Sequence, residues 1–371
     1  MRIASAEVIP YALPFRNPYV TARGQLQRRE MVLLRLRDEE GLTGLGEAVP
    51  LSLRGGSPLA QVVDELEALG SREALDESLL RDNAAALSLP ARCAALTALM
   101  DLRGRRAAAE SHSPGREEAA LDQAQDAGRQ AEAVASSPAI RCNATLVAGE
   151  PGEVAADAMR WAEDGFSTFK LKLGEGDDVA AVGTVRDALG PGARIRVDAN
   201  GVWDLETAKR RLAALEPYEI ELAEQPVSTL EEAAELTEAT SIPIAADESV
   251  ASPADARRAV ELHACQIAGL KVSKVGGPEA AIEIAELLPS FVSSALDGPV
   301  GIAAAAQVAQ TLDAASGGAH QRLAHGLATQ RLFSSSIATV ECELRGDMLH
   351  PPAGPGLGVE IDEAALQAHR L

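Results

Sequence analysis

Five ionisable residues, Lys172, Asp198, Glu224, Asp247 and Lys271, recur along the second half of the chain at separations of 26, 26, 23 and 24 residues. Each closes a short β-like run that a helical stretch follows. One charged residue where a strand meets a loop is usually just solvated; five in phase call for another reason. In a parallel barrel the C-terminal strand ends converge on one face, so the five meet in one pocket. Asp198, Glu224 and Asp247 then form three carboxylates on consecutive strands, a mutually repulsive set unless a cation sits among them. Oxygen-only ligands with open positions suit Mg²⁺, with Mn²⁺ as a substitute. In Phe169-Lys170-Leu171-Lys172, period two places Lys170 and Lys172 on one face. Two neighbouring, partly buried ammonium groups should lower at least one pKa toward the range of a general base. The same spacing sends Asn200 inward with Asp198. Lys271, on the sixth strand, faces Lys172 across the mouth. Lys274 is out of phase and is expected outside; Glu248 should point away from Asp247, and Asp204 is a spare acid. A cation flanked by lysines suits proton abstraction beside a carboxylate, where it stabilises an enediolate.

Strands are expected at 140–147, 168–173, 194–198, 220–224, 242–246, 266–272 and 291–296, with an eighth near 320–327; helices such as 154–164, 205–215, 229–239 and 278–287 separate them. This alternation is the mark of βα units around a parallel sheet. Residues 3–15, 31–37 and 42–49 read as a three-stranded meander with a Glu39-Glu40-Gly41 turn, and 58–104 as helical. Residues 16–29, polar and too long for a tight hairpin, are a candidate functional loop. Residues 105–137 lack large apolar side chains apart from Leu121 and Val134, as a solvated helix and linker would. The expected division is an α+β capping domain and linker over 1–137, with 340–371 returning to it, and a barrel over 138–339.

The 371 residues are 46% hydrophobic and carry a net charge of −21, which opposes a phosphate-binding surface and makes nucleic acid an unsuitable partner. No stretch is long and apolar enough for a membrane, and Glu7 with two prolines interrupts any signal-like start, so a cytoplasmic protein acting on small molecules is expected. Cys93, Cys142, Cys265 and Cys342 form no CxxC and read as reduced thiols. Monomer and homo-oligomer both stay open.

Lys170-Leu-Lys172, Val197-Asp198-Ala-Asn200-Gly, Glu224-Gln225-Pro226, Ala246-Asp247-Glu248-Ser249 and Leu270-Lys271-Val-Ser-Lys-Val-Gly-Gly277 resemble the signature set of the enolase superfamily, in its muconate lactonizing enzyme subgroup. That superfamily is itself the standard example of a Lys base working with Mg²⁺. The similarity includes Gly46-Glu47-Ala48 near the N-terminus and the closing Pro355-Gly356-Leu357-Gly358. Residues 105–137 and Leu287-Leu-Pro-Ser290 depart from the family pattern. The resemblance implies a modified (β/α)7β TIM-type barrel under an α+β cap, Mg²⁺ on Asp198, Glu224 and Asp247, and acid/base lysines Lys172 and Lys271, with Lys170, Asn200, Ser294 and Asp297 around the substrate. The subgroup includes cycloisomerases, o-succinylbenzoate synthases, N-succinylamino acid racemases and dipeptide epimerases. Gly46-Glu-Ala-Val-Pro-Leu51, Ser293-Ser-Ala-Leu-Asp297 and His325-Gly-Leu-Ala-Thr329 resemble the o-succinylbenzoate synthase family. This implies dehydration of a small carboxylate in menaquinone biosynthesis: Lys172 removes the α-proton and returns it to the leaving hydroxyl, Lys271 supplies positive charge, and residues 16–29 close over the substrate. A dipeptide epimerase usually carries an acidic motif at the seventh strand to hold an ammonium group; only Asp297 is present here. The non-enzyme alternative is a catalytically idle, metabolite-binding barrel, which has no need for clustered like charges.

Overall fold

In a strand, residues two apart share a face, so the unbroken apolar run Met31-Val32-Leu33-Leu34 demands cover on both sides. The computed structural model describes residues 1–21, 24–50, 56–72, 75–111, 138–173, 177–315 and 323–371. β1 (Ile3–Thr21), β2 (Gly24–Asp38) and β3 (Thr43–Ala48) form an antiparallel meander. Val32, Leu34 and Leu36 pack against α1 (Leu59–Gly70), α2 (Glu77–Ala84) and α3 (Leu89–Ser111). Met31, Leu33, Tyr11 and Leu13 on the other face join the apolar cluster of the second half of the chain. Helix α3 lies directly on β3. A Cβ at Gly44 would fall 2.2 Å from the Ala98 carbonyl oxygen and one at Gly46 1.9 Å from that of Ala94, so this close approach requires glycine at both positions.

Residues 16–29 are not the expected loop. After a register shift between Pro14 and Tyr19, β1 and β2 continue as a hairpin with Tyr19 opposite Leu26 and Val20 opposite Gln25. Antiparallel strands can pair with water on a face, so a polar composition did not forbid the extension. Residues 22–23 of that candidate loop, residues 112–137 of the expected linker, and Leu51 lie outside the described residues.

The second half alternates strand and helix. The strands β5 (Ala144–Leu146), β6 (Thr168–Lys172), β7 (Arg194–Asp198), β8 (Ile220–Glu224), β9 (Ile244–Ala246), β10 (Ile267–Lys271) and β11 (Ser290–Ser293) form one parallel sheet in sequential order. Between and after them run α4 (Pro151–Glu163), α5 (Asp178–Leu189), α6 (Leu205–Leu215), α7 (Leu230–Ala239), α8 (Pro253–Leu262), α9 (Pro278–Leu287) and α10 (Pro299–Ala315). The expected strand 140–147 divides: β4 (Ile140–Arg141) pairs antiparallel with β12 (Met348–His350), and only Ala144–Leu146 enters the barrel. The eighth strand is reduced to His325 and Gly326, which bridge in parallel to Cys142 and Ser293 and so close the curled sheet. The Nδ1 of buried His325 accepts from the Val292 N–H at 2.9 Å, fixing this short closure from the side. Residues 320–322 of the expected strand lie outside the described residues. Lower in the barrel, Leu222, Ala245 and Phe291 cluster, and the fully buried Arg196 stacks 5.0 Å over the Phe291 ring. The fold is the expected α/β one, a (β/α)7β barrel with an N-terminal α+β cap.

The last residues return to the first. Leu371 donates its N–H to Pro10 and Leu357 donates to Asp101 Oδ1 at 2.6 Å. Asp101, fully buried on α3, also accepts from the Leu45 N–H at 2.8 Å and Arg105 Nε at 3.0 Å. One carboxylate therefore ties α3 to β3 and to the C-terminal segment. Among the described residues no helix is long and apolar enough to cross a membrane, and all four cysteines are buried free thiols.

An Asp101→Ala variant leaves two buried N–H groups without acceptors and should lose about 2–5 kcal/mol. Asp76→Ala, which removes only the side-chain cap on the Leu79 N–H of α2, should lose about 1 kcal/mol. Urea unfolding followed by far-ultraviolet circular dichroism compares them; equal losses would contradict the role given to Asp101.

Candidate active site

The register of the parallel sheet sets the site: Lys172 lies beside Asp198 and Asp198 beside Glu224, while Asp247 follows directly on β9. Asp198, Glu224 and Asp247 are at most 1% exposed, so each carboxylate has lost its water and must be compensated by protein. Lysines do this. Lys170 Nζ donates to both Glu224 oxygens at 2.6 Å and stands 2.8 Å from Asp198 Oδ2. Lys172 Nζ donates to Asp198 Oδ2 at 2.5 Å and to Asn200 Oδ1 at 3.0 Å. Across the mouth Lys271 Nζ donates to Asp247 Oδ2. Of the paired lysines the Lys172 side chain is the most accessible, 19% against 5% for Lys170 and 10% for Lys271. It is the ammonium group best placed to meet an incoming molecule.

The titration shifts follow from who shares which cation. Burial works against ionised Asp198, but Lys170 and Lys172 both pull it the other way and hold its carboxyl well below the usual carboxylate range. Glu224 has Lys170 beside it and faces two other carboxylates, so burial and Asp198 push its carboxyl up. Lys170 is raised: burial opposes its charge, but Asp198, Glu224 and Asp247 outweigh burial.

One expectation needs correction. Lys274 is not an outer residue. Val272–Val275 forms a single helical turn, and helical spacing puts residues three apart on one side, so Lys274 joins Lys271 on Asp247. It donates to the Asp247 carbonyl and lies 3.0 Å from Oδ1. Burial, and then the neighbouring Lys271 charge, depress its pKa against the pull of Asp247. Glu248 Oε1 accepts from Asn200 Nδ2 at 3.2 Å, so Asn200 links it to Lys172. Asp204 is structural, accepting from the Thr207 N–H as the N-cap of α6.

Asn200 and Gln225, just past two carboxylate-bearing strand ends, adopt φ of 50° and 40°, conformations that cost energy and gather at functional sites. Gln225, part of the Glu224-Gln225-Pro226 motif, has a role that the sequence alone does not reveal. Its buried Oε1 accepts from the Asp247 N–H, the Ser249 N–H and the Ser249 hydroxyl at 2.9, 3.1 and 3.0 Å, so it anchors the loop that carries Asp247. An amide directly after a strand-end acid was the available signal. Ser294 and Asp297 bond to each other: the hydroxyl donates to Asp297 Oδ2 at 2.7 Å and accepts from the Leu296 and Asp297 N–H groups. Burial pushes the Asp297 carboxyl up, while Ser294 and then Ala295 hold it down, with the Arg29 charge contributing from the cap.

The donor set suits a hard divalent cation, being three buried carboxylates with oxygen ligands only. Two of them, Asp198 and Glu224, already converge on one positive centre, the Lys170 Nζ. Asp247 is engaged with Lys271 and Lys274, and among the described residues no three acidic, His or Cys side chains gather around a single point.

Comparison with known proteins places the chain in context. A family model described as mandelate racemase / muconate lactonizing enzyme, N-terminal domain, matches residues 3–111, and one described as enolase C-terminal domain-like matches residues 153–365. An o-succinylbenzoate synthase of Thermobifida fusca is 40% identical over 205 residues, 53% of this chain and 62% of that protein. Muconate cycloisomerase 1 of Pseudomonas putida is 30% identical over 97% of this chain and 96% of its own length. The crystal structure of a dipeptide epimerase from Cytophaga hutchinsonii, complexed with Mg and D-Ala-L-Val, superposes with a TM-score of 0.80 at 25% identity, over 99% of this chain and 98% of that one.

Lys170 and Lys172 should differ in what they hold together. Lys170→Met takes the ammonium partner from buried Glu224, leaves Asp198 with Lys172 alone, and should cost about 3–5 kcal/mol. Lys172→Met leaves Lys170 on Asp198 and should cost less than about half of that. Denaturant midpoints of the two variants test this; an equal or reversed order would contradict the assigned geometry.

Proposed function

The chain belongs to the enolase superfamily, in the branch of mandelate racemase and muconate lactonizing enzyme, and on that footing we propose that it is an enzyme that removes a proton from the carbon beside a substrate carboxylate. The observation that carries this reading is the pairing of an accessible Lys172 with Lys271 on the opposite side of a buried carboxylate set. Asp198, Glu224 and Asp247 are the proposed Mg²⁺ ligands, supported by their oxygen-only chemistry and by the Mg in the epimerase complex. When bound, the ion supplies fixed positive charge that lowers the cost of the negative charge created by proton loss.

Lys172 is the proposed base. Asp198 and Asn200 hold its nitrogen from one side, so it keeps one orientation while the proton moves, the condition for efficient general-base catalysis. Lys271 holds a second positive charge on the far side of the substrate. Lys274 stands beside Asp247 and Lys271 and fixes that side. Lys170 stays too deep and too firmly paired to take a proton itself.

The reaction proposed is that of an o-succinylbenzoate synthase, loss of water from a small carboxylate on the route to menaquinone, with Lys172 returning its proton to the departing hydroxyl. The 40% identity over 205 residues supports it. The second reading is an isomerase, a racemase, epimerase or cycloisomerase, favoured by the lysines on opposite strands, one for each face of a stereocentre. Asp297 weighs against the dipeptide epimerase: it is buried and engaged by Ser294 and Ala295 rather than presented to an ammonium group.

A substrate panel with Mg²⁺ tests the reading: the o-succinylbenzoate precursor, N-succinylamino acids, dipeptides and muconate. Dehydration of the precursor is expected, reversibly abolished by EDTA. Asp198→Ala, Glu224→Ala and Asp247→Ala should each lose the heat of Mg²⁺ binding in calorimetry and more than about a hundredfold in rate. Full turnover in EDTA would overturn the metal site, and turnover of another panel member without the precursor would move the enzyme to the isomerases.

A further inference from the structure

The cap strand β3 sends one carboxylate into the barrel. Gly46 and Ala48 face α3, and Glu47 between them points the other way, 1% exposed, to the start of α10. Its Oε1 accepts from the Gly298 N–H at 2.6 Å and its Oε2 from the Tyr11 hydroxyl at 2.8 Å, with a further hydrogen bond from the Gly301 backbone. The first N–H groups of a helix have no partner within it, and their positive end favours an anion. Here that anion comes from another part of the chain. Both glycines belong to the arrangement: a Cβ at Gly298 would lie 2.7 Å from Glu47 Oε2, and one at Gly301 2.6 Å from Oε1. Immediately before α10 lies the Ser294–Asp297 turn, which follows β11, and β11 pairs with β10 so that Ser293 sits beside Lys271. The cap of α10 therefore reaches the rim of the candidate active site through four residues of backbone.

We propose that Glu47 is a positioning residue, which caps α10 from the N-terminal domain and thereby holds the Ser294–Asp297 rim and the capping domain in one fixed relation at the substrate mouth. The inference deepens the functional reading above and rests on it for the word substrate; the geometry itself does not. Burial pushes the Glu47 carboxyl up to about 7, and Asp297 adds to that, while Tyr11, Gly298 and Gly301 hold it down. A carboxylate buried there has lost its water and must be compensated by protein, and the hydrogen bonds that do so are those that cap α10. Asp297, which faces Glu47 across this seam, also feels Arg29 of β2, so the hairpin strand and the rim share the same electrostatic contact.

The test is hydrogen–deuterium exchange by mass spectrometry on the full chain with Mg²⁺, comparing Glu47→Ala, Glu47→Gln and Gly301→Ala with the parent. Loss of a helix cap should speed exchange over residues 294–305 about five- to tenfold, with peptides covering β6 to β8 unchanged. Glu47→Gln keeps one carbonyl acceptor and should fall between parent and Ala. Gly301→Ala displaces the carboxylate from the opposite side and should reproduce the Ala pattern, which keeps the test decisive if Glu47→Ala does not fold. On a turned-over substrate KM should rise about tenfold with kcat changed less than about threefold, as when a displaced rim weakens binding of ground and transition state alike. Unchanged exchange over 294–305, or an increase spread evenly over the chain, would overturn the proposal. The exchange readout needs no substrate, so a wrong reaction assignment leaves it intact.

Discussion

Three carboxylates buried at adjacent strand ends cannot stand as bare charges, and the rest of the site is arranged to neutralise them. Lys170 serves two of them, Lys172 shares one, and Lys271 with Lys274 serves the third. The opposite shifts of Asp198 and Glu224 follow: burial works to raise both carboxyls, but Lys170 and Lys172 overcome it at Asp198, whereas at Glu224 burial and then Asp198 outweigh Lys170. A site with this much concentrated charge is expensive in a folded protein. It is kept where chemistry needs charge already in place before the reacting molecule arrives.

What reading the sequence could reach followed from periodicity. Strands 194–198 and 220–224 coincide with β7 and β8 because each is a short run of alternating polar and apolar residues ending in an acid, and period two then sends Lys170, Lys172 and Asn200 to the same side as their partners. Reading failed where the period changed without warning. Strand alternation carried past Val272 puts Lys274 outside, whereas a helical turn begins there and brings it in. The hairpin beyond Pro14 was missed because its residues are polar, and polarity says little about strands with water on a face. The closing strand shrinks to His325 and Gly326, too short to carry any pattern, and is held by bridges that only the folded chain reveals. Glu47 was visible within a motif, but its partner lies 251 residues away.

The two domains are joined by polar contacts as well as by the shared apolar cluster. Asp101 binds the C-terminal segment to α3, and Glu47 binds the cap to α10. Both are buried carboxylates accepting backbone N–H groups that would otherwise be unpaired. Domain interfaces of this kind fix orientation better than apolar packing alone, because a hydrogen bond tolerates little displacement. The candidate active site lies where the barrel's strand ends meet the rim that this interface holds.

Proton removal by Lys172 is the central step, and solvent deuterium exchange at the substrate α-carbon measures it without waiting for product. With Mg²⁺ present and single-turnover conditions, exchange should vanish in Lys172→Ala and persist, slowed, in Lys271→Ala. If the enzyme is instead a racemase, each single-lysine variant should retain exchange with one enantiomer only. Unimpaired exchange in Lys172→Ala with every substrate that the parent exchanges would contradict the assignment under either reaction.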